Sequence, residues 1–218
     1  LESKIYFNPM ESITTSSTKK IIKPIIIIVT HYRALSTILF RVLTNNTQNV
    51  PFFEPFNQFY VNSDIAKLEN YPFQKKEDFI LYVESKIAQA EKEDKFLLIK
   101  DMADNPKEYF LDIINKIAET KPVKFVYLVR HPKAAYPSLL KMLKADKLIK
   151  EEDIEAYKGT PIYQPLWEMY EKHKGKIVIT EDFQEEPNRV IKELYEYIGM
   201  EFKEEYMKFK PLTEKEVH

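Results

Sequence analysis

The chain of 218 residues contains no cysteine. That excludes disulfides, a thiolate nucleophile and cysteine-ligated zinc, and it fits a cytoplasmic setting. Glycine is almost as scarce, with only Gly159, Gly175 and Gly199 present. A phosphate loop of the Gly-x-x-x-x-Gly-Lys-Ser/Thr kind is therefore absent. No apolar run approaches the roughly 20 residues needed to span a bilayer; the longest, Pro24 to Val29, is strand-sized. An excess of one charge is also missing: 33 basic residues face 34 acidic ones, a net charge of −1. No global basic field points to nucleic acid or an acidic membrane surface, so any anion site must be local. The four histidines, His31, His131, His173 and His218, lack the short spacing of a metal centre, and no metal is expected.

What is present is enough for one sizeable core, since 44% of the residues are hydrophobic. Residues 1–20 are mixed and polar and read as a flexible leader, with 21–218 as a single domain. Apolar runs predict strands near 25–30, 50–53, 96–100, 123–129 and 176–180. Helical spacing of apolar residues predicts helices near 36–46, 77–92, 106–119, 133–146, 161–174 and 187–199. Phe79, Ile80, Val83 and Ile87 mark the second of these, and Phe110, Ile113, Ile114 and Ile117 the third. Alternation of this kind implies an α/β fold, a parallel sheet of about five strands with helices on both faces. Ligands of such sheets bind beyond the strand C-termini. Two charged or aromatic stretches near those ends, Asn57 to Lys76 and Lys144 to Gly159, have the length of lids.

The segment Ile25 to Leu43 concentrates the chemistry. Ile25-Ile26-Ile27-Ile28-Val29 suits a strand buried on both faces. Thr30-His31-Tyr32-Arg33-Ala34-Leu35 then leads into Ser36-Thr37, residues able to cap a helix whose apolar face carries Ile38, Leu39, Val42 and Leu43. A strand, a tight turn and a helix N-terminus form an anion site, because backbone N–H groups and the positive dipole end face the turn. Arg33 adds charge, and the Ser36 and Thr37 hydroxyls add donors. With no glycine available, Ala34 and Leu35 are expected to present their backbone donors without left-handed geometry. A second strand, Phe125 to Val129, ends in Arg130-His131-Pro132-Lys133, and Ser138 follows eight positions after Arg130. Pro137 is placed in the first turn of the next helix, where proline is tolerated.

These two segments resemble the cofactor-binding motifs of the sulfotransferases that use 3′-phosphoadenosine 5′-phosphosulfate. Phe53-Glu54-Pro55-Phe56 resembles the Glu-Pro-Phe of a bacterial and fungal branch whose loop is of a His-Pro-Arg-Ala-Leu-Ser-Thr type; here Tyr32 stands in place of that proline. Ile99-Lys100-Asp101-Met102, Ile177 to Phe183 and Tyr197-Ile198-Gly199-Met200 resemble further segments of the family, so the resemblance runs from about residue 22 to 209. It implies the P-loop-NTPase-like sulfotransferase fold. It also implies that Arg33, Ala34, Leu35, Ser36 and Thr37 grip the 5′-phosphosulfate, and that Arg130 and Ser138 hold the 3′-phosphate. Many relatives set a basic, glycine-containing C-terminal loop against the 3′-phosphate, and nothing after Met200 resembles one.

The implied reaction moves a sulfuryl group to a hydroxyl or amine of a small-molecule or side-chain acceptor, releasing adenosine 3′,5′-bisphosphate without a metal. A base is needed near the acceptor. Glu54, between Phe53 and Pro55, is the expected base, with partial desolvation raising its pKa; His31 is the rival. Arg33 and Lys100 would stabilise the transferring group, although Lys100 could equally pair with Asp101 or Glu54. His131, Glu181 and Asp182 are expected to order turns, and His173 to be exposed. The alternatives are a non-catalytic nucleotide-binding protein of the same fold and, less well supported, a phosphotransferase.

Overall fold

A computed structural model describes residues 22–56, 76–103, 107–145, 150 and 163–208. The leader over 1–20 lies outside the described residues, as do nearly all of the two long segments at 57–76 and 144–159 and the side chains of Phe79 and Phe110. Five strands form one parallel sheet, β1 (Ile25–Thr30), β2 (Asn49–Phe53), β3 (Phe96–Met102), β4 (Val123–Val129) and β5 (Lys176–Ile179), in the order β2-β3-β1-β4-β5. Around it lie α1 (Ser36–Thr44), α2 (Lys76–Lys92), α3 (Lys107–Thr120), α4 (Pro132–Ala145), α5 (Gln164–His173), α6 (Thr180–Glu185) and α7 (Pro187–Ile198). Every expected strand and helix has its counterpart, and the α/β architecture is as the periodicity implies.

The Ile25–Val29 run occupies the centre of the sheet because both of its faces are covered. Ile25, Ile27 and Val29 pack with residues of α2, α3 and α5, while Ile26 and Ile28 pack with α1 and α7. Each buried aliphatic side chain of this kind contributes roughly 1.5–3 kcal/mol. The apolar stripe of α7, Val190, Ile191, Leu194, Tyr195 and Ile198, closes the second face. Gly199, at φ 83°, ends α7 in the left-handed conformation and returns its N–H to the Tyr195 carbonyl.

Register decides which loops meet. Thr30 of β1 pairs with Leu128 of β4 on one side and Met102 of β3 on the other, and Phe53 of β2 pairs with Lys100. The four C-terminal ends therefore line one edge of the sheet. Two local expectations are corrected. Pro137 lies in the second turn of α4, not the first, so the carbonyl of Lys133 lacks its intrahelical donor. The Glu181–Asp182 turn is itself a short helix, α6.

Candidate active site

The loop between β1 and α1 departs from expectation in its backbone. Arg33 and Leu35 both adopt left-handed geometry, with φ of 64° and 61°. Leu35, not Ser36, occupies the N-cap, with no side-chain cap. The absence of glycine is thus met by two strained side-chain-bearing residues, each at a cost of order 1–3 kcal/mol. The helical ladder begins when the Leu35 carbonyl accepts from Ile38 and Leu39. The N–H groups of Ser36 and Thr37 precede that ladder and are left for an anion. Ser36 is buried and Thr37 is exposed.

Three contacts, none of them foreseen from the sequence, help to fix the loop. Thr180, fully buried at the start of α6, donates to the Ala34 carbonyl at 2.9 Å. His31 is 2% exposed. Its Nε2 accepts the Arg130 backbone N–H at 3.0 Å, which leaves the proton on Nδ1 to be donated to the Tyr32 carbonyl at 2.9 Å. Burial lowers its pKa; the Tyr32 bond opposes this, Arg130 reinforces it and Glu181 opposes it. With both nitrogens engaged, His31 is a bridge between the β1 and β4 loops, a poor geometry for a general base. The third contact joins side chains: Arg33 Nε donates to Ser138 Oγ at 2.9 Å.

The β4 loop is braced as the sequence suggests. His131 Nδ1 accepts the Lys133 N–H at 3.1 Å, and the His131 N–H donates to the Glu181 carboxylate at 3.2 Å. Arg130 Nη1 donates to the Arg33 carbonyl at 2.9 Å, the Tyr163 hydroxyl donates to the Arg130 carbonyl at 2.7 Å, and Arg130 Nε is buried with no partner among the described residues. His173, expected to be exposed, is half-buried and stacks on Phe125 with ring centroids 4.6 Å apart.

Across β1, at the ends of β2 and β3, Lys100 and Glu54 form an ion pair. Lys100 is 1% exposed; its Nζ also lies 3.4 Å from Met102 Sδ and 4.8 Å from the Phe53 ring centroid. Glu54 has a left-handed backbone, φ 43°, and its N–H donates to the Lys100 carbonyl at 2.7 Å. Asp101, the alternative partner, is engaged elsewhere: it accepts the Phe56 and Met102 N–H groups, both at 2.7 Å. Burial pushes its carboxyl up to about 7, against the pull of those two bonds and of Lys100, with Glu54 adding a small upward push. Asp101 therefore pins the Glu54–Phe56 turn to β3. Two charged residues in the otherwise apolar run Phe96 to Met102 were the sequence signal for this cluster.

The structure thus gathers the predicted residues into two groups flanking β1, one around Arg33, Ser36, Thr37, Arg130 and Ser138 and the other around Glu54 and Lys100. A cavity of about 330 Å³ between α2 and α3, lined by Ile80, Val83, Ile87, Ile113 and Ile117, contains none of them. The strand ends are the better site, because that is where the polar groups converge. Among the described residues no group of three or more His, Asp or Glu could hold a metal ion, and no helix is long and apolar enough to cross a membrane.

A family model described as a sulfotransferase domain matches residues 19–210. No curated protein sequence matches the chain. Among solved structures it is similar to the sulfotransferase domain of the Synechococcus PCC 7002 olefin synthase, at 17% identity and a TM-score of 0.55, over 84% of this chain and 76% of that one. A sulfotransferase domain from the curacin biosynthetic pathway gives 18% identity, a TM-score of 0.58 and the same coverages of 84% and 76%. A mouse sulfotransferase complexed with PAP gives 12% identity and a TM-score of 0.53, over 84% of this chain and 61% of that one. At these identities the likeness to solved structures speaks for the fold.

Proposed function

The chain belongs to the sulfotransferase domain family, and from that premise we propose that it moves a sulfuryl group from 3′-phosphoadenosine 5′-phosphosulfate to a hydroxyl or amine acceptor. The observation that carries this reading is the meeting of the β1 and β4 loops. One offers the unused N–H groups of Ser36 and Thr37, and the other offers Arg130, whose buried Nε has no partner among the described residues. A donor-only lining of this kind fits a nucleotide bearing phosphates at both ends. In this reading the 33–37 loop holds the 5′-phosphosulfate, and Arg130 and Ser138 hold the 3′-phosphate. Residues 21–218 act as one domain behind a leader over 1–20.

Bound there, the donor supplies the sulfuryl group, and adenosine 3′,5′-bisphosphate is the leaving product. Glu54 takes the acceptor's proton as the new S–O or S–N bond forms and the S–O bond to the 5′-phosphate breaks. Lys100 holds the Glu54 carboxylate in place and keeps a positive charge beside the transferring group. The left-handed residues of the β1 loop give it the turn that glycine gives elsewhere.

Calorimetry with adenosine 3′,5′-bisphosphate and with ATP tests the ligand class, and the bisphosphate is expected to bind the more tightly. A stronger preference for ATP overturns the assignment. In a transfer assay, Glu54→Gln should retain bisphosphate binding and lose about 10²–10⁴-fold in rate. Full transfer by that variant removes Glu54 as the base.

A further inference from the structure

We propose that β5 is a self-association edge, on which a second copy of this chain docks by antiparallel pairing of β5 with β5 about a two-fold axis. The inference does not depend on the reaction proposed above. β5 is the last strand of the sheet, and among the described residues no strand lies beyond it. Its register sets Ile177 beside Tyr127 and Ile179 beside Val129, on the face that α5 covers, while Val178 is buried on the α7 face. α5 lies over β4, where Tyr170 meets Tyr127 and His173 stacks on Phe125. It leaves β5 partly uncovered: Ile177 and Ile179 are 43% and 39% exposed, and Trp167 of α5, on the same face, is 59% exposed.

The two edges of the sheet differ in how they are guarded. β2 carries Pro51 in its middle, exposed and with no N–H to offer, and such a residue obstructs the addition of a further strand. β5 has neither a proline nor a charge between Ile177 and Ile179, and apolar side chains at an open edge mark an association surface. The flanking charges select the occupant. Lysines stand before the strand at Lys172, Lys174 and Lys176, and acids stand after it at Glu181, Asp182 and Glu185. Lys176 already pairs with Glu193, and Glu181 accepts the His131 N–H. Asp182 is exposed, and Lys174 has a solvent-exposed ion pair with Glu171, of little energetic weight. Antiparallel pairing centred on Val178 sets Lys174 against the partner's Asp182 at both ends, whereas parallel pairing would set lysine against lysine. It also sets Ile177 against the partner's Ile179. Residues directly opposite share a face of the sheet, so the four isoleucines form one strip on the α5 side. A two-fold contact of this kind is closed, because each copy uses its only unguarded edge on the other. Glu54 and Lys100, at the ends of β2 and β3, stay open in the dimer.

The test is sedimentation equilibrium of the 218-residue chain. A dissociation constant on the order of 1–100 µM is expected for so short a strand. The wild type should pass from 26.0 kDa to twice that mass as concentration rises. Ile177→Lys sets a charge in the apolar strip and should weaken the dimer about a hundredfold. Ile177→Thr keeps strand propensity and should weaken it about tenfold, and it replaces the lysine variant if circular dichroism shows that one unfolded. Lys174→Glu should cost about tenfold through like charges at both ends, and adding Asp182→Lys should restore most of that loss. A wild type that stays at 26.0 kDa at every concentration overturns the proposal and leaves the edge to a different protein. A dimer that survives a folded Ile177→Lys variant overturns it too, since the interface then lies elsewhere. A loss in Lys174→Glu that Asp182→Lys does not restore overturns the two-fold antiparallel pairing.

Discussion

Replacing Glu54 by Gln should unsettle the fold as well as the chemistry, and the size of the effect follows from Lys100. The Lys100 ammonium is 1% exposed and its ion-pair partner is Glu54. Removing one partner of a buried pair typically costs about 3–5 kcal/mol, because the remaining charge stays desolvated. Two features reduce this figure. The Glu54 side chain is 19% exposed, so water can reach the site, and the Phe53 ring, 4.8 Å from Nζ, still faces the ammonium. An expected loss of about 2–3 kcal/mol remains, equivalent to roughly 4–12 °C in Tm for a domain of this length. Lys100→Met should lose less, since the carboxylate left behind is the more exposed partner. The double variant should be more stable than the two single losses add up to, by about 1 kcal/mol or more. Urea titration of the four proteins measures all three quantities. A Glu54→Gln protein within about 0.5 kcal/mol of wild type, with additive losses in the double variant, would refute the claim that the pair holds this corner together.

Two further outcomes are expected. A Cβ at Gly175 would lie 2.4 Å from the Phe125 carbonyl oxygen and 2.9 Å from its Cβ, at φ 151°; Gly175→Ala should therefore destabilise by about 3 kcal/mol, and an unchanged urea midpoint would contradict the packing of α5 onto β4. His31 has a folded-state pKa below its unfolded value, so its contribution is complete above about pH 6.5 and lost as pH falls through the folded pKa. Urea midpoints between pH 7.5 and 5 should decline less in His31→Gln than in wild type, though not to zero, because burial lowers His173 as well, with a smaller push from Lys172. Parallel declines would remove His31 as the titrating bridge.

The strands, the helices and the positions of the two polar loops at the strand ends were legible because their signals are local. The Ile25–Val29 run, the apolar stripe of α7 and the eight-residue spacing of Arg130 and Ser138 can each be read within one window. What could not be read depends on distant partners or on backbone angles against residue preference. Nothing in Arg33 or Leu35 announces φ above 60°, since neither residue favours it. The choice of Glu54 over Asp101 as the partner of Lys100 required the register of β2 on β3. The His31 bridge and the Thr180 hydroxyl bond to Ala34 each join residues far apart in the chain. Their signal was only a polar side chain at the end of an apolar strand.

The strand order carries a kinetic consequence. All pairings of the central strand are with distant segments: Ile26 lies opposite Leu98 and Lys124, and no hairpin gives β1 an early neighbour. Contacts of such separation are slow to form, because loop closure precedes any gain from pairing. At roughly 5–20 residues per second, Leu98, on the earlier of the two neighbouring strands, leaves the ribosome on the order of 4–14 s after Ile26. Throughout that interval Ile25–Val29, five β-branched residues with no charge and no proline, is a strand without a partner. It has the composition of a self-associating segment, and Lys23 and Pro24 stand directly before it as a charge and a break. The run that makes the sheet's centre so well buried in the finished molecule is the part of the nascent chain most in need of protection.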